Sequence, residues 1–162
     1  MMISLKMQKA LNAQIGMEFA AAMKYDAMAA HFEAEALPQA AKRFFKQASE
    51  EREHAHKFLR YVLDAGGRVQ IPEIPAQPHT YKSSEAAAQA ALDSEMAVTK
   101  SIHKLMDLAL EEKDHATAAT LQWFITEQVE EISSADQFLR LVQRAGEKNI
   151  LAVEDYLADT AE

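Results

Sequence analysis

Apolar side chains recur at alternating steps of three and four along most of the chain, the period of a helix that buries one face. The stripe Leu11, Ile15, Glu18, Ala22, Tyr25, Ala29 and Phe32 predicts a first helix over roughly 4–34. Phe44, Gln47, Glu51, His54, Phe58, Tyr61 and Ala65 predict a second over 38–65. Ala88, Leu92, Glu95, Thr99, Ile102, Met106 and Ala109 mark a third, running to about 112. Leu121, Phe124, Gln128, Glu131, Ala135, Phe138 and Val142 mark a fourth, from a break near Lys113-Asp114 to about 145. A short fifth helix is expected over 149–159. The punctuation agrees: Pro38 stands at a first helical position, Gly66 and Gly67 end the second helix, and Gly146 stops the fourth. Ser83 or Ser84 caps the third, with Glu85 in its first turn.

The connections decide the topology. Helices of this length are roughly 43 Å long. Short turns make helices one and two antiparallel, and likewise three and four. The segment 66–82 holds three of the four prolines, so it is not helical throughout. Extended, it spans up to about 58 Å, enough to travel the length of a bundle and let helix three run parallel to helix two. The fold expected is all-α, a four-helix bundle with one long crossover between helices two and three and a short C-terminal fifth helix. Ile150, Leu151, Val153, Tyr156 and Leu157 of that fifth helix need a partner surface that four packed helices do not obviously leave.

Composition narrows the picture further. A chain of 162 residues, 49% hydrophobic, fits a single domain over 1–162. It has no cysteine, hence no disulfide framework and no thiolate metal site. With no long apolar run and no apolar centre near its start, it reads as a cytoplasmic protein without a membrane segment. A net charge of −8 argues against nucleic acid and anionic membranes as partners, and fits a protein that handles cations.

Each of the four stripes carries one glutamate near its helix midpoint. Antiparallel helices of similar length bring their midpoints to one level, so Glu18, Glu51, Glu95 and Glu131 should meet in one layer, with His54 a turn along from Glu51. Buried carboxylates repel one another and take up protons unless a cation neutralises them. No Lys or Arg lies on the stripes, which leaves a metal; carboxylates with one imidazole suit iron, manganese or zinc. Two divalent ions balance four carboxylates.

At these residues the chain resembles a non-haem ferritin of the bacterial type. The segments that carry the resemblance are NAQIGMEFAAAMKY around Glu18 and Tyr25, SEEREHAHKFL around Glu51 and His54, and LQWFITEQVEE around Gln128 and Glu131. The resemblance implies a ferroxidase that oxidises Fe(II) at a dinuclear site within the subunit and stores the ferric mineral. Glu18, Glu51 and His54 would hold the first iron, and Glu51 would bridge to a second held by Glu95 and Glu131. Gln128 would hydrogen-bond near the site, and Tyr25 would donate an electron or a hydrogen bond. A third iron would sit among Glu50, Glu127 and Glu130. The resemblance further implies a homo-oligomeric cage of twenty-four subunits, with the fifth helix at its fourfold axes, and dioxygen or hydrogen peroxide as oxidant.

Departures from related families are informative. The fourth helix lacks the second E-x-x-H of bacterioferritins and many di-iron enzymes. Arg52 stands where bacterioferritins place a haem-ligating Met, so no haem is expected. The acidic threefold-channel positions of animal ferritins are Ala118 and Leu121 here, which leaves iron's way in open, and nearby Glu111, Glu112, Asp114 and His115 read best as a solvated helix junction. Trp123 reads as core packing. The alternative function is a di-iron or di-manganese oxidase or peroxidase of the same superfamily that stores no metal.

Overall fold

The computed structural model describes residues 2–160. All regular structure among them is helical: α1 (Leu5–Ala34), α2 (Pro38–Asp64), α3 (Ser84–Glu111), α4 (His115–Ala145), a 3₁₀ turn (Glu147–Asn149) and α5 (Leu151–Asp159). The segment between α2 and α3 contains no helix, as its prolines predict. No described helix is long and apolar enough to cross a membrane.

The helix ends follow from local chemistry. Ser4, Ser83 and Asp114 cap α1, α3 and α4, their side-chain oxygens accepting the N–H groups of Met7, Ala86 and Thr117 at 2.9–3.0 Å. Three helices stop in the same way, with a residue at positive φ whose successor's N–H reaches back to a carbonyl five residues earlier. Gly66 takes that place after α2 (φ 78°), but Ala36 and Lys113 take it after α1 and α3, at φ 60° and 56°. The reaching bonds are Leu37 N–H to Phe32 O, Gly67 N–H to Val62 O and Asp114 N–H to Ala109 O, at 2.8–2.9 Å.

Contacts between helices set their directions. Met2 meets Ala65 and Asp26 meets Arg52, so α1 and α2 are antiparallel. Ser4 meets Glu112 while Lys24 meets Ser94, so α1 and α3 are antiparallel. Glu85 meets Gln143 and Glu95 meets Gln128, so α3 and α4 are antiparallel. It follows that α2 and α3 run parallel, the arrangement the long crossover permits. The crossover lies on α1. Asn12 donates to Arg68 O at 2.9 Å and accepts from Gln70 N at 3.1 Å. Pro72 sits on Gly16, where a Cβ would come within 2.9 Å of the ring's Cδ and closer still to Cγ, so only glycine leaves room for the strap.

The apolar interior falls into two clusters. One gathers Tyr25, Met28, Phe32, Phe44, Phe138 and Val142; the other gathers Met7, Leu11, Ile15, Phe58, Ile102 and Phe124. In each helix the boundary falls at the predicted glutamate. The stripes of α1 and α4 are buried throughout. Two others differ from expectation. In α3, Ala88, Glu95, Ile102 and Ala109 are buried as expected, but Ala91, Val98 and Leu105 are buried in place of Leu92, Thr99 and Met106, one residue further on, which are half-buried. In α2, Val62 takes the core place expected for Tyr61, and Gln47 is half-buried beside Ala48. A packed helix buries more than one residue per turn, and neighbouring positions on the edge of the stripe compete for the same turn, so the pattern alone does not choose between them.

The fifth helix finds a partner within its own chain, contrary to the expectation for its apolar residues. Val153 is buried in the first cluster, with Ile150 and Leu157 packed against it. Leu151 and Tyr156 remain 67% and 54% exposed. Because α2 and α3 run parallel, both begin at this end of the bundle, and the C-terminal segment brings a carboxylate to each. Glu154 accepts the N–H groups of Gln39 and Ala40 at 2.7 and 2.8 Å, capping a helix that has no side-chain cap of its own. Glu147 accepts from Ser84 Oγ and Glu85 N at 3.2 and 3.3 Å. Carboxylates at helix N-termini satisfy free N–H groups and complement the helix dipole. Replacing Glu154 by Ala is therefore expected to lower stability by about 1 kcal/mol and to speed amide exchange at the start of α2. Unchanged denaturant midpoints and exchange rates would show that α5 is not pinned this way.

Candidate metal centre

Between the two apolar clusters lies the acid layer. Glu18, Glu51, Glu95 and Glu131 are all buried, at 0%, 1%, 1% and 7% exposure, and His54 is buried beside them. Their ligand atoms fall into clusters within 4.8 Å: Glu18 with Glu51 and His54, and Glu51 with Glu95 and Glu131. Glu51 belongs to both. A third cluster joins His54, Glu127 and Glu131. Among the described residues, Glu50 and Glu130 belong to no such cluster; Glu50 pairs with Lys46 at 3.6 Å, and Glu130 is exposed.

The carboxylates are held by neutral donors rather than by cations. Gln14 Nε2 donates to Glu18 Oε1 at 2.7 Å. Gln47 Nε2 donates to Glu131 Oε2 at 2.6 Å and to Glu51 Oε1 at 3.2 Å. Tyr25 donates its hydroxyl to Glu95, and Gln128 Nε2 reaches Glu95 Oε2 at 3.3 Å and Thr99 Oγ1 at 2.9 Å. Such donors fix the oxygens without neutralising their charge. Among the described residues, Glu18 Oε2 and Glu51 Oε2 are buried with no hydrogen-bond partner. Two orphaned oxygens in a dry layer are costly for the protein alone; a cation at each cluster would satisfy both, so the residues fit metal.

The electrostatics agree. Burial first, then repulsion from Glu51, pushes the Glu95 carboxyl up to about 8 and that of Glu131 up to about 7. Glu18 is raised for the same two reasons. Burial, then Glu95 and Glu51, raises the Tyr25 phenol, which stays a donor. Burial opposes protonation of His54, but Glu51, then Glu131 and Glu127, outweigh it and raise its pKa. His54 Nδ1 lies 3.3 Å from Glu51 Oε2, and Nε2 lies 3.9 Å from Glu127 Oε1.

Sequence reasoning missed three neighbours of the site and misplaced a fourth. Gln14 is 1% exposed, and Gln47 stood on its stripe without a role. Both lie four residues before a buried glutamate, a repeated spacing that could have revealed them. Arg43 carried no such signal. Its guanidinium donates through Nη2 to Ser134 O at 3.0 Å and to Ser134 Oγ at 2.7 Å, and lies over Phe138 at 5.1 Å. Burial lowers its pKa, which Glu131, Tyr25 and Glu50 oppose. Trp123 is not core: it is 39% exposed, edge-on to His54 at 5.5 Å, and carries Lys57 Nζ 3.2 Å over its ring.

The other predicted positions have local partners. Arg52 is ion-paired with Asp26. Leu121 is wholly buried in the second apolar cluster, so that position faces the bundle's interior. Glu111 pairs with Lys6 at 3.4 Å, Glu112 accepts from Ser4, and Asp114 caps α4, which makes this stretch a helix junction.

This arrangement has known counterparts. Residues 8–145 match the family model described as the ferritin-like domain. The chain is 39% identical over 153 residues to Ferritin BfrB of Mycolicibacterium smegmatis, covering 94% of this chain and 84% of that protein. It is 34% identical over 146 residues to the bacterial non-heme ferritin of Staphylococcus aureus, covering 90% and 88%. The fold superposes on an open pore ferritin from the archaeon Archaeoglobus fulgidus with a TM-score of 0.93, at 37% identity and coverage of 96% and 97%. With the family model matched over residues 8–145 and relatives 34–39% identical along nearly the whole length, the chain belongs to the ferritin family.

Proposed function

We propose that this protein is an iron-storage ferritin subunit whose acid layer is a ferroxidase site. The observation that carries the reading is the sharing of Glu51 between two ligand clusters, both dominated by hard oxygen donors, which suit iron and favour its higher charge. Fe(II) is the substrate. Glu18, Glu51 and His54 bind one ion, and Glu51, Glu95 and Glu131 bind the other. Each Fe(II) gives up one electron, and dioxygen takes both with two protons to leave as hydrogen peroxide, or peroxide takes both with two protons to leave as water. Tyr25 and Gln128 hold Glu95 in place, and Gln47 holds Glu131. The ferric product is stored inside a homo-oligomeric cage of twenty-four subunits.

A third iron binds beside the pair, between α2 and α4. Glu127 supports this, because its carboxylate faces His54 and groups with Glu131. Glu50 and Glu130 flank it and would turn inward on a cation.

Three measurements test these statements. Purified protein given Fe(II) in air should oxidise it far faster than buffer and retain hundreds of ions per cage-sized particle. Glu51→Ala should lower the initial rate by about a hundredfold, a loss of ~2.7 kcal/mol. A mutant as fast as the parent would refute the site, and a small particle without retained iron would refute storage.

Metal-free protein should lose stability as pH rises from about 5 to 8. Below their ordinary value of 4.5, the carboxyls of Glu95 and Glu131 are protonated in folded and unfolded chains alike. Above it the unfolded chain sheds these protons while the folded chain keeps them until about 7 or 8, so unfolding gains ground with each step of pH. Saturating Zn(II) should remove most of the fall. A chelated sample whose Tm is flat or rises across this window would mean that the carboxylates ionise freely.

Replacing Glu50, Glu127 and Glu130 together by Gln should leave the first fast phase of oxidation intact but change the iron-to-dioxygen ratio in later turnovers. Identical stoichiometry in oxygen-electrode measurements would count against the third ion.

A further inference from the structure

The helix pairs α1–α2 and α3–α4 pack closely, whereas α2 and α4 are joined by reaching side chains: His54 toward Glu127, Gln47 to Glu131, Arg43 to Ser134. At the Arg43 position the seam is not filled. A small cleft, open in part to solvent and with room for roughly one water molecule, runs inward from Arg43, Ser134 and Phe138. Its inner wall is made by Tyr25, Glu95 and Glu131, on the side of the layer away from Glu18. Outside, the same three residues border a wide groove between α4 and α5 that also carries Arg140 and Arg144.

The charges along this path select what can use it. A fixed guanidinium stands in the neck, and two more line the groove, although Arg140 is paired with Asp136 at 2.9 Å. A divalent cation meets repulsion at the neck. An anion that passes the neck meets two carboxylates at the inner wall. Only a small uncharged species is opposed by neither, and apart from Gln47 the wall between is apolar, built from Phe44, Phe138 and the small side chains of Ala91 and Ala135. The cleft is thus a filter for size and for charge.

We propose that the Arg43–Ser134 neck is the passage by which a small uncharged oxidant, dioxygen or hydrogen peroxide, reaches the Glu95–Glu131 side of the layer, apart from the way taken by Fe(II). The proposal rests on the ferroxidase reading above. The two bonds from half-buried Arg43 to Ser134 keep the neck narrow, and Phe138 supports the guanidinium from beneath. Neither Arg43 nor Ser134 is a metal ligand in that reading, so the passage can be altered without removing a ligand.

The test uses the full-length assembled protein. Ser134→Leu fills the neck, and Arg43→Ala widens it. Binding of Fe(II) under anaerobic conditions and of Zn(II) is measured by calorimetry. Oxidation of pre-bound Fe(II) is then followed by stopped flow at varied dioxygen, and separately at varied hydrogen peroxide without air. Ser134→Leu should bind both metals as the parent does, yet lower the second-order constant for both oxidants by about tenfold, equivalent to ~1.4 kcal/mol. Arg43→Ala should bind both metals and react at least as fast as the parent. Slowing with one oxidant only would assign the passage to that oxidant. A Ser134→Leu protein with normal metal binding and unchanged constants for both would overturn the proposal while leaving the ferroxidase reading intact. Should Ser134→Leu lose metal binding, Arg43→Ala decides: slower oxidation with full metal binding overturns the passage, and faster oxidation supports it. A parent protein that binds no Fe(II) would overturn the ferroxidase reading itself, and the passage with it.

Discussion

Four carboxylates inside one helical bundle are the constraint around which this molecule is organised. Each of the four long helices could have turned its glutamate to water, yet all four are buried at one level. Repulsion and lost hydration make such a layer unfavourable in the absence of cations, and the elevated carboxyl pKa values are the measure of that cost. The apolar clusters on either side supply the packing that holds the layer together, with stacked or edge-on aromatic rings on both sides: Phe32 with Phe44 and Phe138 on one, Phe58 with Phe124 on the other.

What surrounds the carboxylates explains why the layer suits metal. Their direct hydrogen-bond donors are amides and a phenol: Gln14, Gln47, Gln128 and Tyr25. A lysine or arginine in those places would satisfy the carboxylates permanently and compete with a metal ion. Neutral donors orient the oxygens and leave the charge for the cation. The nearest guanidinium, Arg43, is turned to Ser134 instead and stands at the edge of the layer. The site is therefore two-sided, with His54 and Glu127 toward one flank and Arg43 toward the other.

Much of this was legible in the chain alone. The three-four periodicity carried the four long helices to within a residue or two of their ends, and the proline-rich segment carried the crossover. The layer of Glu18, Glu51, Glu95 and Glu131 followed from position along each helix, because antiparallel helices of equal length must align their middles. Less legible were the places where two adjacent residues compete for one turn of a buried face. Val98 over Thr99 and Val62 over Tyr61 are such cases. There the choice depends on the width of the gap between helices, which no single stripe reports. Gln14 was hidden for another reason: glutamine four residues before glutamate is ordinary on a wet helix face, and only burial makes it the support of a buried carboxylate.

The sequence by itself determined the number, length and direction of the helices and which acids could meet, since these depend on local spacing and chain reach. Only the tertiary structure decided what fills the seam between α2 and α4 and where the fifth helix goes. Trp123 lies over His54, Arg43 bonds Ser134, and Glu154 caps α2 from more than a hundred residues away. Those contacts join side chains distant in sequence, and each depends on how far apart two helices come to rest. That distance is set by the packing of the whole bundle, not by any one segment of it.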